Sequence, residues 1–338
     1  MAVLLLTHER YLDHDPGRGH PERPERLRSV LDGISAAGLS DALVPVAPRP
    51  ATTAEVSLVH ADAQLDLVRG ASDAGGTWID ADTSTSAASY EAALLAVGAG
   101  LTAVASLEAG EGDSAFCAVR PPGHHATPTQ AMGFCLFNNV AVTAAALAER
   151  GERVLIVDFD AHHGNGTQDA FWRDPRVAYV SFHQHPLYPG TDDLQELGAG
   201  AGRGYTLNIP LPPCATGDAY RAGIDQLIHP LAATFEPTWL LLSAGFDGHR
   251  ADPLTDLALS AGDMADITLA LLELVPAGRR IAFLEGGYDL DALSSCAAAC
   301  VAALAGERRH DEAPTAGGPG QDSVAAAALL QTQLTELG

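Results

Sequence analysis

The chain has 338 residues, 47% of them hydrophobic, enough to bury a large core as one big α/β domain or two smaller ones. Its 43 acidic side chains outnumber 19 basic ones, all Arg, for a formal charge of −24; such a surface repels nucleic acid phosphates and favours cationic partners such as basic peptides or polyamines. The cysteines Cys117, Cys135, Cys214, Cys296 and Cys300 are odd in number and lack CxxC spacing, which excludes a disulfide framework and fits reduced thiols in a cytoplasmic protein.

The opening MAVLLLTHER is apolar only over residues 2 to 6 and has no basic lead, and no run of about 18 apolar residues follows, which argues against export and against a membrane span. Taken in chain order, strands are expected at 2–7, 114–119, 153–160, 177–183, 206–211, 239–247 and 280–288, where short apolar runs are rich in branched residues. Helices are expected between them at 21–38, 86–109, 138–150, 217–235, 260–277 and 289–305. This alternation predicts an α/β fold, a parallel sheet with helices on both faces. No linker interrupts it before about residue 306, where RRHDEAPTAGGPGQD reads as a flexible segment ahead of a last Ala/Leu helix. The expected organisation is therefore a catalytic domain over 1–305 and a tail over 306–338 made of a short linker and a helix. GAGAGRG (198–204) fails the GxGxxG spacing and precedes a strand, so it is a loop and not a dinucleotide site.

Ligands of an open parallel sheet bind beyond the carboxyl ends of its strands, and several ends here are polar. VLIVDFDAH places Asp158, Asp160 and His162 at alternate positions, on one face if the strand continues. LLLSAGFD finishes in Asp247, and IAFLEGGY in Tyr288. Carboxylates at the end of an apolar strand are costly without a cation, and the simplest arrangement is one divalent ion held by Asp160, His162 and Asp247. Two carboxylates and an imidazole leave a coordination position for water or substrate, the mark of a catalytic zinc site. Such a site needs a separate general base, and RPPGHHA (120–126) offers His124 and His125 on a rigid loop. Asp158 is positioned to orient one of the two and keep it charged, while a neutral partner, Asn165, leaves the other nearer its ordinary basicity. Tyr288 is expected to donate a hydrogen bond to a substrate carbonyl. His163, of opposite parity to His162, along with His183 and His185, reads as support and not as a ligand, and Cys135 as a packed thiol.

RPPGHHA, GFCLFNN (133–139), VLIVDFDAHHGNGTQ (154–168), LLSAGFDGHRADPL (241–254) and EGGYDL (285–290), with HPERPERL (20–27) ahead of them, resemble the histone deacetylase and acetylpolyamine amidohydrolase superfamily over residues 1 to about 305. The resemblance implies an arginase/deacetylase-like three-layer fold with an eight-stranded parallel sheet, one Zn²⁺ (or Fe²⁺ in the cell), and hydrolysis of N-acetyl amides. It assigns the ligands to Asp160, His162 and Asp247, the general base to His125, and a charged electrostatic role to His124 with Asp158 behind it. Tyr288 polarises the carbonyl in this scheme, and Gly133, Phe134 and Tyr188 flank a narrow tunnel. Tyr188 stands where many relatives have Phe, and Asn165 where class I enzymes have Asp, which makes the chain class II-like. Two K⁺ positions are also implied: Asp158, Asp160, His162, Ser181 and Phe182 for the first, Phe171, Asp174, Val177 and Tyr205 for the second. Polyamine-selective relatives carry Glu in the turn where this chain has Leu254, so the implied substrates are acetylated lysine side chains of peptides or proteins ahead of acetylated polyamines. Two readings from other classes compete. An arginase-like hydrolase with two Mn²⁺ ions needs carboxylates where this chain has His125, Asn165 and Gly248, and a non-catalytic acyl-lysine binder has no use for the complete set of ligands, dyad and Tyr288.

Overall fold

In the computed structural model, which describes residues 1–191, 193–308 and 312–337, the apolar runs pair side by side, every pair parallel. In chain order the elements are β1 (Val3–Leu6), α1 (Pro24–Ala36), β2 (Leu43–Val46), α2 (Thr53–Val56), α3 (Asp62–Asp73), α4 (Ser89–Glu108), β3 (Ser114–Cys117), α5 (Asn139–Ala148), β4 (Val154–Asp158), α6 (Asn165–Phe171) and β5 (Val177–Gln184). They continue as β6 (Thr206–Leu211), α7 (Gly217–Gly223), α8 (His229–Phe235), β7 (Trp239–Ala244), α9 (Ala261–Leu272), β8 (Arg280–Leu284), α10 (Leu290–Leu304) and α11 (Gln321–Leu337). The single eight-stranded sheet runs β2-β1-β3-β8-β7-β4-β5-β6.

Every residue of β3, β4, β5 and β7 is buried, which is why these strands read as continuous apolar runs and not as alternating ones. Helices α1, α9 and α10 pack together, as do α4 and α5. Helix α4 is long and apolar enough to cross a bilayer, but most of it is buried against neighbouring elements of the fold, and its lack of a polar face reflects that. Strands β3, β8, β7 and β4 are consecutive in the sheet, so the loops leaving their carboxyl ends, RPPGHHA, EGGY, GFD and FDAHH, open onto one crevice.

Several elements depart from the sequence expectation. Strand β2 was not expected, because Pro45 interrupts a run of four; it is an edge strand paired only to β1, where a missing N–H is tolerated. Helices α2, α3 and α6 were also unread; α6 has seven residues and a polar start, too little for a helical period. The helix expected over 217–235 is broken by a π turn at Ile224–Ile228, directly ahead of Pro230, which has no N–H for the ladder. The strands expected to run through Asp160, Asp247 and Tyr288 stop at Asp158, Ala244 and Leu284, so strand parity does not align Asp158, Asp160 and His162. Side-chain caps do it instead: the N–H of Asp160 donates to Asp158 Oδ1 (3.1 Å), and that of His162 to Asp160 Oδ1 (2.9 Å).

The last helix of the tail is present, and α11 packs on β6 and α7 with Val324 and Ala327 buried. Arg309, His310 and Asp311 of the expected flexible stretch lie outside the described residues. Beyond them the stretch is tied down. Glu312 accepts from His249 Nε2 (2.8 Å) and Ala261 N (2.9 Å), and Thr315 donates its N–H (3.0 Å) and its hydroxyl (2.7 Å) to Asp263.

Candidate active site

The three residues expected to hold a metal converge. One ligand atom each of Asp160, His162 and Asp247 lies within 4.8 Å of the others, with His162 Nδ1 3.2 Å from Asp160 Oδ1 and 2.9 Å from Asp247 Oδ2. The second carboxylate oxygens are held by backbone, Asp160 Oδ2 by Gly286 N (2.7 Å) and Asp247 Oδ1 by Ala161 N (2.8 Å). Burial, then the Asp160 charge, pushes the Asp247 carboxyl up to about 7. Burial opposes charge on His162 as well, but hydrogen bonds to Asp160 and Asp247 raise it to about 10. Two buried carboxylates and an imidazole converging on one point are a donor set suited to a divalent ion. Gly286 makes the approach possible. A Cβ there would sit 2.3 Å from Asp247 Oδ2 and 2.6 Å from Asp160 Oδ2. Gly286→Ala is accordingly expected to weaken divalent-ion affinity about tenfold or more, measured by competition with a chromophoric chelator; an unchanged affinity would mean that the two carboxylates are not the ligands.

The histidine pair stands beside this set. His124 and His125 lie 4.0 Å apart between ring centroids with their planes tilted by 42°, and His125 lies 6.0 Å from His162. Their partners differ as the sequence suggested: His124 Nδ1 is 3.1 Å from Asp158 Oδ2, and His125 Nδ1 is 2.8 Å from Asn165 Oδ1. Burial disfavours the charged form of both. Around His124 the Asp160 and Asp158 charges overcome it and lift the pKa to about 10, whereas around His125 the charges of His124 and His162 add to burial and hold it well below the usual value. Asp158 is further fixed by the Tyr179 hydroxyl (3.2 Å).

Tyr288 leaves the end of β8 on a turn gripped from two sides. Its N–H donates to Asp252 Oδ2 (2.7 Å), and Arg26 donates to Gly287 O (2.6 Å) and Glu285 O (2.5 Å) with its guanidinium 4.9 Å from the Tyr288 ring centroid. Desolvation raises the phenol pKa well above its usual value, against the pull of Arg26, so the hydroxyl keeps its proton. Phe134 meets Tyr288 edge-on at 5.8 Å, and Tyr188 meets His125 at 5.2 Å and His162 at 6.4 Å. The two aromatics therefore meet different residues of the site. Gly133 at φ 58° passes over His125, where a Cβ would come within 2.5 Å of the imidazole. Leu254 lies partly exposed, its N–H on Asp252 Oδ1 (3.0 Å).

His163 points away from the ligands, toward Thr191 Oγ1 (3.0 Å) and Gln168 Oε1 (3.1 Å), and His183 Nδ1 lies 2.8 Å from Ser181 Oγ. Of the residues expected to hold K⁺, Asp158 is in register with Ser181 across β4 and β5, and Asp174 N donates to Phe171 O (3.0 Å), while Tyr205 O accepts from Tyr179 N (2.8 Å). Asp174 also pairs with Arg176 (2.8 Å).

Sequence reasoning left unassigned the groups that hold the site from behind. Glu285 Oε2 accepts from Gly123 N (2.6 Å) and His124 N (3.2 Å) and so fixes the loop of the dyad. Glu22 binds Arg120 (2.7 Å) and Arg26 (3.2 Å) in the core. Their signal was present, since Glu22 and Arg26 belong to HPERPERL and Glu285 to EGGYDL, but a buried carboxylate bound to backbone and arginine leaves no spacing rule to read.

A family model described as a histone deacetylase domain matches residues 20–304. A probable deacetylase of Archaeoglobus fulgidus is 41% identical over 313 residues, covering 90% of this chain and 87% of that protein. The histone deacetylase-like amidohydrolase of Pseudomonas aeruginosa is 37% identical over 296 residues, 86% of this chain and 78% of that one. Histone deacetylase 15 of Arabidopsis thaliana is 38% identical over 94% of this chain, which spans 57% of its length. A crystal structure of the HDA15 HD domain superposes with a TM-score of 0.91 at 34% identity, covering 98% of this chain and 94% of the other. With the family model matched from His20 to Leu304 and the fold shared throughout, the chain belongs to the histone deacetylase family of amide-cleaving hydrolases.

Proposed function

We propose that the chain hydrolyses N-acetyl amides with the help of one Zn²⁺, releasing acetate from N6-acetyl-lysine side chains. The observation that carries the reading is the unequal histidine pair, one ring on a carboxylate and the other on an amide, set beside three converging ligands. Asp160, His162 and Asp247 would hold the ion, Zn²⁺ or Fe²⁺, whose Lewis acidity polarises the carbonyl and makes water a better nucleophile. The amide oxygen of Asn165 only accepts, so His125 carries its proton on Nδ1 and presents a bare Nε2. That nitrogen takes the proton of the attacking water and returns it to the departing amine. His124, held charged by Asp158, faces the negative charge that gathers as water adds, and the Tyr288 hydroxyl donates to the former carbonyl oxygen. Phe134 and Tyr188 flank the methylene chain.

Leu254, uncharged and partly exposed, supports acetyl-lysine over a polyamine, whose distant ammonium wants a carboxylate in that turn. A specific observation keeps acetylpolyamines as the second reading, namely the acidic surface of a chain charged −24. The two are separated by kcat/KM for an acetyl-lysine peptide against acetylputrescine and acetylspermidine. The peptide is expected to win, and a large advantage for the polyamines would reverse the ranking.

A further inference from the structure

The lip of the site carries a second cavity of about 570 Å³, lined by the Gly17-Arg18-Gly19 turn, His20, Trp78, Asp82 and Phe134. Phe134 is common to this cavity and to the wall beside Tyr288, so the two spaces adjoin. Trp78 is 58% exposed, an indole left open at the lip. The carboxylate of Asp82 is fixed to the tunnel wall: the Thr83 hydroxyl donates to Asp82 Oδ1 (2.9 Å) and itself accepts the N–H of Phe134 (3.1 Å). His20 secures the same turn from the other side. The Asp82 carbonyl can only accept, so His20 Nε2 carries a proton toward it (3.0 Å), while Nδ1 lies 3.0 Å from Glu22 O and 3.1 Å from Glu22 N. Asp80, whose Oδ1 caps the N–H groups of Asp82 (3.0 Å) and Thr83 (2.7 Å), adds a second negative charge.

Neither Asp80 nor Asp82 has an ion-pair partner among the described residues, and the chain has no Lys to supply one from elsewhere. Arg18, exposed and lining the same cavity, likewise makes no ion pair among the described residues. Burial, and then the neighbouring Asp80 charge, raises the Asp82 carboxyl, so a cation arriving there relieves a repulsion that already exists. An open indole beside an unpaired, immobilised carboxylate is the chemistry that takes an ammonium or guanidinium.

We propose that Trp78 and Asp82 form a rim subsite for a positive charge that the substrate carries beside its acylated amine. The proposal rests on the amide-hydrolysis reading and makes it more specific. The charge has two sources of the same chemistry, an Arg or Lys next to the acetyl-lysine of a peptide, or the distal ammonium of an acetylated polyamine.

The test compares two substrate pairs on the full chain loaded with Zn²⁺. One pair is an acetyl-lysine peptide with neutral neighbours and the same peptide with flanking Arg; the other is N-acetylhexylamine and N-acetylspermidine. Wild type is expected to favour the cationic member of at least one pair, and that pair names the source. Asp82→Asn and Trp78→Ala should each lower the cationic-to-neutral ratio of kcat/KM about fivefold, chiefly through KM, and the double variant about tenfold or more. Asp82→Glu should recover part of the ratio, and added salt should shrink it in wild type more than in Asp82→Asn. A wild-type ratio near one in both pairs, or variants that slow cationic and neutral substrates equally, would overturn the rim subsite while leaving hydrolysis intact. No turnover of any substrate overturns the hydrolysis reading and the subsite with it.

Discussion

His125→Ala is expected to lower kcat about 10³-fold with the metal still bound, and His124→Ala to cost less. The order follows from hydrogen bonding. Asn165 forces the Nδ1 proton of His125 and leaves Nε2 free to accept, in surroundings where burial and two neighbouring imidazoles oppose a resident proton. In the proposed mechanism, losing that ring removes the group that takes a proton from water and hands it to the amine. His124 is held charged by Asp158 and Asp160, so it has no lone pair to offer and its loss removes an electrostatic contribution alone. Steady-state kinetics with the metal content measured on each variant checks the order. A His124 variant slower than the His125 variant would mean that the roles are exchanged.

Tyr288→Phe is expected to lower kcat by about 10²-fold or more with little change in KM, because in the proposed mechanism the hydroxyl bond strengthens only as charge develops on the acetyl oxygen. The substitution keeps the ring that packs on Phe134 and over Arg26, and the backbone bond to Asp252 does not involve the side chain. A folding defect is therefore not expected, and the thermal midpoint should move little. Turnover equal to wild type would remove Tyr288 from the chemistry.

Much of this site was legible because its chemistry falls at strand ends. Asp160, His162, Asp247 and Tyr288 each follow an apolar run, and the pairing of Asp158 and Asn165 with different histidines followed from one being charged and the other neutral. The sequence misleads on one physical route. Strand parity predicts the alignment of Asp160 and His162, whereas the strand ends at Asp158 and backbone N–H groups donating to Asp158 and Asp160 bring them together. Strand β2 was hidden by Pro45, and the tail looked like a free linker because its Pro, Gly and Thr composition does not reveal that Glu312 and Thr315 bond to His249, Ala261 and Asp263. Glu285, Asp252 and Glu22 were unreadable for a further reason. Their partners are backbone groups and arginines brought close by the tertiary fold, as with Glu22 and Arg120, 98 positions apart.

The most direct measurement is acetate release from an acetyl-lysine peptide after chelation, followed by titration with Zn²⁺. The account predicts that chelation abolishes turnover and that activity returns in proportion to added ion, reaching its plateau at one ion per chain. Full activity in the metal-free protein, or a plateau at two ions per chain with guanidine hydrolysis in place of acetate release, would contradict it.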